Sequence, residues 1–235
     1  MAEKPDILII TGTRKGIGRA LAEAYLAEGK RVIGCSRQPS DLVHDRYEHY
    51  ELDVTNERAV VAMVTEVKRR HGTIHALLNN AGVAAMNHSF LTPVQTVDAL
   101  MRTNLTGTFL CCREVAKVMQ AKRYGRIVNF TTVAVPLRVE GEALYSASKA
   151  AVEQFTRVFA REMSVFGITC NLVGPSPVMT DLIKNVPREK LDALVQQQAV
   201  KRFADAADVK YVVDFFLNDP SGQVTGQTIY LGGVG

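Results

Sequence analysis

The feature that most constrains the fold of this 235-residue chain is the alternation of short apolar runs with longer stretches of helical periodicity. The runs at 7–10 and 127–131 have the length of strands, and the stretches between such runs repeat apolar residues every three or four positions. Apolar strands separated by helices form parallel sheets that are covered on both faces. The sequence therefore predicts a single α/β domain over 1–235, doubly wound, with a seven-stranded, mainly parallel sheet and helices on both faces.

The predicted elements follow one another along the whole chain. The strands are expected at 7–10, 31–35, 47–52, 75–78, 127–131, 168–173 and 228–231. The helices are expected at 17–28, 57–70, 94–122, 144–166, 188–200 and 205–217, and a lid at about 182–200. Ligands of doubly wound sheets bind beyond the carboxyl ends of the strands, where the strand order reverses. The chemistry is therefore expected in the turns that follow the strands.

Composition argues against several classes of protein. Charged residues make up 22% of the chain and the net charge is only +4, without a dense Lys/Arg cluster, so no nucleic-acid or membrane partner is expected. No apolar stretch is long enough to span a membrane or to act as a signal segment, and a cytoplasmic location is expected. The four cysteines and five histidines show no metal-ligand spacing, so no metal site is expected.

A glycine-rich run follows the first predicted strand and opens the first predicted helix. Glycines allow a tight turn and a close approach of the backbone to a pyrophosphate, and a helix N-terminus favours negative charge. The glycine spacing differs from the general G-x-G-x-x-G pattern, so the position of the run carries much of the argument. The residues assigned to this phosphate-binding turn are Gly12, Thr13, Arg14, Lys15, Gly16, Ile17 and Gly18.

The end of the second strand indicates which nicotinamide cofactor is preferred. A carboxylate there would bind the ribose 2′-hydroxyl of NAD, whereas a basic residue accommodates the 2′-phosphate of NADP. This strand ends with Ser36 and Arg37 and has no carboxylate, and Arg14 and Lys15 are expected nearby. A guanidinium can bind a phosphate through two hydrogen bonds, and a hydroxyl can add a third. NADP(H) is therefore predicted, and NAD(H) is less favoured.

Motifs in consistent order resemble those of the short-chain dehydrogenase/reductase family, most closely its 3-oxoacyl-(acyl-carrier-protein) reductase branch. They are TGTRKGIG at 11–18, NNAG at 79–82, Asn104, YSASK at 145–149, NLVGPSPVMT at 171–180 and VTGQ at 224–227. The resemblance implies a Rossmann-type fold and an NADPH-dependent oxidoreductase that reduces a ketone or a 3-oxoacyl-type substrate. It assigns cofactor contacts to Asp53, Val54, Asn80, Ala81, Gly82, Tyr145, Lys149, Pro175, Val178 and Thr180.

Tyr145 and Lys149 are four residues apart on a predicted helix, so their side chains share one face. A phenol has an ordinary pKa of about 10, and a nearby ammonium lowers that pKa towards the working range. Tyr145 is therefore predicted to be the acid/base that exchanges a proton with the substrate oxygen. The resemblance adds Thr132 in place of the usual serine that polarises the carbonyl, and Asn104 as part of a proton relay to Lys149.

Three departures from the family pattern keep alternatives open. Thr132 replaces a serine, Ser176 replaces a glycine, and Phe166 stands where carrier-protein docking uses a basic residue, although Lys122 and Arg123 fit a second docking position. The substrate is thus a small carbonyl or alcohol, either free or linked to a carrier protein or coenzyme A. The alternative function is an NADP-binding sensor or scaffold with little turnover.

Two further expectations concern the substrate and the assembly. Substrate contacts are expected within 84–88, 133–138 and 182–200. The resemblance also implies a homodimer or homotetramer, in which the predicted helices 94–122 and 144–166 form a four-helix interface.

Overall fold

Seven parallel strands form the centre of the molecule in the order β3-β2-β1-β4-β5-β6-β7. The computed structural model describes residues 6–180, 183 and 186–234. The strands are β1 (Ile7–Thr11), β2 (Arg31–Ser36), β3 (Tyr47–Glu51), β4 (Ala76–Asn79), β5 (Gly125–Phe130), β6 (Ile168–Gly174) and β7 (Thr228–Tyr230). Every pairing among them is parallel. The predicted doubly wound sheet is confirmed, and the strand order reverses between β1 and β4.

Helices follow the strands and cover the sheet. They are α1 (Gly16–Ala27), α2 (Glu57–His71), α3 (Val94–Leu100), α4 (Gly107–Met119), α5 (Ala134–Leu137), α6 (Ala143–Ser164), α7 (Arg188–Gln196) and α8 (Ala206–Leu217). The short α5 has no counterpart among the predicted helices, because four residues are too few to show a helical period. Part of the expected lid, at 182, 184 and 185, lies outside the described residues.

Two hydrophobic cores lie on opposite faces of the sheet. Alternate residues of β1 point to opposite sides, so that Ile7 and Ile9 belong to one core and Leu8 and Ile10 to the other. The first core packs against α2, α4 and α6, and the second against α1 and α8. This packing buries both faces and directs the strand ends towards the turns that carry the candidate site.

The helix predicted at 94–122 is interrupted by a π-helical turn at Met101–Thr106, between α3 and α4. Isolated π turns inside α-helices are frequent at functional sites. Asn104 lies in this turn and is fully buried, with its side chain bonded to the backbone of Val83. The wider turn therefore places one amide side chain against the loop after β4, which apolar periodicity could not predict.

Candidate functional site

Two adjoining cavities lie beyond the carboxyl ends of the strands. The first, the glycine-turn cavity, has a volume of about 430 Å³ and borders the turn after β1 and the ends of β2 and β3. The second, the Tyr145 cavity, has a volume of about 440 Å³ and borders the ends of β5 and β6 and the start of α6. Asn80, Gly82 and Thr180 belong to both walls, so the cavities meet there.

The glycine turn has the shape that a pyrophosphate requires. Gly12 and Gly16 have φ angles of 77° and 64°, in the left-handed region that favours glycine. A Cβ atom at Gly18 would overlap the carbonyl oxygen of Gly12 and the side-chain amide of Asn80. The helix α1 begins at Gly16, and a helix N-terminus favours an anion. The turn therefore fits the pyrophosphate of a dinucleotide.

Asn80 holds the ends of two neighbouring strands together at the cofactor side of the sheet. Its side-chain amide donates to the carbonyl oxygens of Thr11, at 2.9 Å, and Gly12, at 3.3 Å. The Ala81 N–H donates in turn to the Thr11 hydroxyl at 2.9 Å. These bonds join the end of β4 to the glycine turn, so the two cavity walls are held in one arrangement.

The structure brings most of the predicted cofactor residues together. The glycine-turn cavity is lined by Gly12, Arg14, Lys15, Gly16, Ile17, Ser36, Arg37, Asp53, Val54, Asn80, Ala81, Gly82 and Thr180. The Tyr145 cavity is lined by Tyr145, Lys149, Pro175 and Val178, among others. Thr13 and Gly18 lie behind the wall instead. Thr13 is fully buried and its hydroxyl hydrogen-bonds to the Tyr47 phenol at 2.8 Å.

Some wall residues were missed by the reasoning from sequence. The glycine-turn cavity also borders Cys35, Gln38, Leu52, Val83 and Thr103. Each of them is the immediate chain neighbour of a residue that was predicted, at a strand end or in a turn. Adjacency to a strand-end motif is therefore the signal that could have found them.

Positive charge predominates on the wall of the glycine-turn cavity. Arg14, Lys15 and Arg37 are all exposed there, and Asp53 is the only carboxylate that the structure places in this wall. One carboxylate oxygen of Asp53 accepts the Thr55 N–H at 2.8 Å. The cavity thus combines an excess of basic side chains with a carboxylate that is engaged in a turn.

Tyr145 and Lys149 lie in the first turns of α6 and face the junction of the two cavities. The Lys149 ammonium donates to the carbonyl oxygen of Phe130 at 2.9 Å and lies against Gly82, where a Cβ would be 3.3 Å from Nζ. Thr132 lines the same cavity as Tyr145, and its hydroxyl lowers the pKa of the Tyr145 phenol. The predicted acid/base, its lysine and the hydroxyl at the position of the family serine therefore form one cluster.

Burial governs the proton affinities of this cluster. It raises the pKa of the Tyr145 phenol, the negative charge of Glu142 raises it further, and the nearby Thr132 hydroxyl lowers it in part. Burial lowers the pKa of Lys149 to about 8. The lowered Tyr145 pKa that was expected from the lysine is therefore absent, because loss of water disfavours the charged form of each group.

Asn104 is behind the cavity walls, where it organises the backbone. Its side-chain oxygen accepts the Val83 N–H at 2.9 Å, and its amide donates to the Val83 carbonyl at 3.0 Å and to the Ser148 hydroxyl at 2.9 Å. Ser148 donates in turn to the Tyr145 carbonyl at 2.7 Å. Asn104 thus links the loop after β4 to the turn of α6 that carries Tyr145.

The loop after β6 closes the junction from the other side. Its Ser176 is buried and donates to the side-chain oxygen of Gln198 at 2.8 Å, while Pro175 accepts the Val133 N–H at 3.3 Å. The serine that replaces the family glycine therefore ties this loop to the segment after α7. Thr180 lies beside Gly16, whose added Cβ would be 3.5 Å from the threonine side chain.

The Tyr145 cavity is mostly apolar. Its wall includes Ala84, Ala85, Met86, Val133, Ala134, Pro177, Ile183, Val186, Pro187, Leu191 and Leu194, together with Glu142 and Lys190. Only parts of the expected substrate segments are in the wall, since 87–88 and 135–138 are not among its lining residues. The Glu142 carboxyl has no hydrogen-bond or ion-pair partner within the described part of the chain, and burial raises its pKa.

A doubly wound sheet, a glycine turn at its switch point and a Tyr145–Lys149 pair at the cavity junction define the class of short-chain dehydrogenases/reductases. Residues 12–233 match the family model described as Enoyl-(Acyl carrier protein) reductase. The chain belongs to this family and is an NAD(P)-dependent oxidoreductase of that class. The resemblance drawn from the motifs is confirmed.

Relatives of known name agree with this membership. The 3-oxoacyl-[acyl-carrier-protein] reductase of Vibrio cholerae is 31% identical over 233 residues, which cover 97% of this chain and 96% of the relative. The enzyme of the same name from Escherichia coli is 29% identical with the same coverage. The crystal structure of levodione reductase superposes with a TM-score of 0.90 at 27% identity, covering 97% of this chain and 96% of that one.

A third likeness is the crystal structure of a putative gluconate dehydrogenase from Agrobacterium tumefaciens, with a TM-score of 0.89 and 28% identity. It covers 97% of this chain and 94% of that one.

Each helix among the described residues is too short or too polar to cross a lipid bilayer. Within the same ranges, no group of three His, Cys, Asp or Glu side chains could hold a metal ion.

Proposed function

We propose that this protein is an NADPH-dependent reductase that converts a carbonyl to an alcohol, with Tyr145 as the acid/base. The observation that carries the proposal is the cluster at the cavity junction. There Tyr145 and Thr132 line one cavity, and Lys149 lies against Gly82, which belongs to the walls of both cavities. A nicotinamide cofactor held along the glycine turn and a substrate in the apolar Tyr145 cavity would meet at this cluster.

Each residue of the cluster has a distinct task in the proposal. A nicotinamide cofactor held there would supply the hydride for the substrate carbon. Tyr145 donates a proton to the carbonyl oxygen, and Thr132 donates a hydrogen bond to the same oxygen. The positive charge of Lys149 stabilises the phenolate that remains, and its free N–H groups can bind the nicotinamide ribose. Asn104 keeps the Val83 loop and the Tyr145 turn in register.

The proposed 2′-phosphate site consists of Ser36 and Arg37, with Arg14 and Lys15 across the cavity. Asp53 and Val54 would border the adenine, Asn80 to Gly82 the ribose, and Pro175, Val178 and Thr180 the nicotinamide. The excess of basic side chains in this wall supports NADP(H) over NAD(H).

The experiment that tests the proposal follows absorbance of NADPH and NADH with a panel of ketones. The panel contains acetoacetyl thioesters of coenzyme A and of acyl carrier protein, small diketones, cyclic ketones and keto-sugars. Oxidation of NADPH by at least one compound is the expected result. Failure to bind either cofactor in calorimetry would contradict the proposal.

The substrate class follows from the lining of the Tyr145 cavity. Its apolar wall favours an alkyl or acyl chain beside the reacting carbonyl. Two observations argue against docking of a carrier protein. Phe166 stands at a docking position where carrier-protein reductases have a basic residue. At the other docking position the Arg123 guanidinium donates to the Val165 carbonyl at 2.8 Å. We therefore propose that the substrate is a free ketone or a short thioester. We also propose a cytoplasmic location and a single domain over 1–235.

Replacing Glu142 with glutamine is expected to shift the pH profile of alcohol oxidation to lower pH. The charge of Glu142 raises the pKa of Tyr145, so its removal lowers that pKa and increases the phenolate fraction at any given pH. The measurement is kcat for oxidation across the alkaline range. Glu140→Gln is the matched control, because its side chain is 88% exposed and does not line the cavity. A profile unchanged in Glu142→Gln would refute the coupling.

We also propose that α4 and α6 form a four-helix interface in a homodimer or homotetramer. Aromatic side chains meet across the two helices, with the rings of Phe109 and Phe155 6.0 Å apart, and Val158 beside them is 46% exposed. Val158→Glu is expected to give a monomer in sedimentation velocity. Val43→Glu, at a position 93% exposed and outside both helices, should keep the wild-type mass. A monomeric wild-type protein would rule out the interface.

A further inference from the structure

Ser36 in the proposed 2′-phosphate site belongs to a chain of hydrogen bonds that extends into the neighbouring strand. Its hydroxyl donates to the Gln38 carbonyl at 2.5 Å and lies 3.0 Å from His49 Nε2. The other imidazole nitrogen, Nδ1, is 2.8 Å from the Tyr47 hydroxyl, which is 2.8 Å from the Thr13 hydroxyl. The chain therefore connects the rim of the cavity to the glycine turn.

The direction of each bond follows from the number of protons available. Ser36 uses its proton on the Gln38 carbonyl, and that carbonyl, 3.2 Å from His49 Nε2, can only accept. Nε2 therefore carries hydrogen and donates. In the neutral ring Nδ1 then accepts from the Tyr47 hydroxyl, whose oxygen accepts from Thr13. Burial raises the pKa of Tyr47, so the phenol keeps the proton that it donates.

The fold leaves room for this chain of hydrogen bonds at Gly34 of β2. Gly34 is paired in register with His49 on β3, and a Cβ at Gly34 would overlap the Thr13 and Tyr47 hydroxyls. The chain thus passes directly beneath the backbone of Gly34. Because both ends of the imidazole are bonded, the ring is held in one orientation towards Ser36.

We propose that His49 is a positioning residue for recognition of the ribose 2′-phosphate. Its Nε2–H holds the Ser36 oxygen, so that the hydroxyl proton can turn from the Gln38 carbonyl to a phosphate oxygen without the side chain moving. His49 Nε2 remains within reach of that carbonyl, at 3.2 Å, and keeps it bonded. The proposal rests on the proposed preference for NADP(H), and it assigns His49 no contact with the reacting atoms.

The test compares the binding of adenosine 2′,5′-bisphosphate with that of AMP by calorimetry, which requires no turnover. In His49→Asn the side-chain amide reaches the position that Nδ1 occupies in the wild type but not the position of Nε2. In His49→Gln the longer side chain retains a donor near the position of Nε2. Loss of a bond that orders a phosphate ligand is expected to weaken bisphosphate binding about tenfold in His49→Asn. AMP binding should be unchanged, and His49→Gln should restore most of the affinity.

A double-mutant cycle separates this role from a direct contact with phosphate. In a Ser36→Ala background, His49→Asn should cause no further loss, because His49 acts through Ser36. If His49→Asn fails to fold, Tyr47→Phe removes the bond to Nδ1 and is expected to give a smaller loss of the same kind. Bisphosphate affinity equal to wild type in His49→Asn would overturn the role of His49 alone. Equal affinity of the wild type for both ligands would overturn the NADP preference and the role of His49 together.

Discussion

Replacing Tyr145 with phenylalanine is expected to lower kcat by about 10²- to 10⁴-fold, the usual contribution of a positioned acid/base. The change removes one oxygen from a phenol that lines the same cavity as Thr132. The ring stays in place, so cofactor binding should change little. The measurement is NADPH oxidation with the best ketone of the panel, alongside calorimetry of NADPH binding.

Tyr211→Phe is the matched control, because Tyr211 is 74% exposed on α8, away from both cavities. Its kcat should equal that of the wild type. Full activity in Tyr145→Phe would exclude Tyr145 as the acid/base. A protein that binds NADPH but reduces no compound before or after the change would favour the alternative, a sensor or scaffold with little turnover.

Replacing Arg37 with aspartate is expected to weaken NADPH binding about 10- to 100-fold, the effect of losing a charge-assisted hydrogen bond and adding repulsion. NADH binding should strengthen, since a carboxylate at this position can bond to the ribose 2′-hydroxyl. Arg37 is exposed on the rim of the glycine-turn cavity beside Ser36, so the change should leave the fold intact. Dissociation constants of both cofactors measure the result.

Two further variants isolate the cause. Arg37→Gln removes the charge without adding a carboxylate, and should weaken NADPH binding with no gain for NADH. Arg58→Asp, on α2, alters the net charge by the same amount as Arg37→Asp but is not among the cavity residues, and should leave both affinities unchanged. Unchanged cofactor preference in Arg37→Asp would refute the assigned 2′-phosphate site.

The behaviour of Tyr145 illustrates why the sequence was insufficient for the chemistry. The i, i+4 spacing with Lys149 correctly places both residues on one face of α6. The direction of the pKa shift depends instead on burial, on the charge of Glu142 three residues earlier and on the hydroxyl of Thr132 from another strand end. Glu142 and Thr132 are polar neighbours of the phenol, and their effects on its pKa cannot be inferred from the spacing of Tyr145 and Lys149.

Local patterns in the sequence were enough to determine the order of the strands and of most helices, the glycine turn and the family. Each depends on residues that are close in the chain, such as the apolar run of β1 or the glycines between 12 and 18, and the physical preferences of such segments act over short distances. The family motifs also indicated which strand ends would carry the site.

Tertiary structure alone decided the contacts between segments that are distant in the chain. It formed the π turn that places Asn104 against Val83, and it tied Ser176 to Gln198. It also brought His49 from β3 to Ser36 at the end of β2. These arrangements follow from the register of paired strands and the packing of helices, because hydrogen-bond partners are selected by position in space and not by distance along the chain.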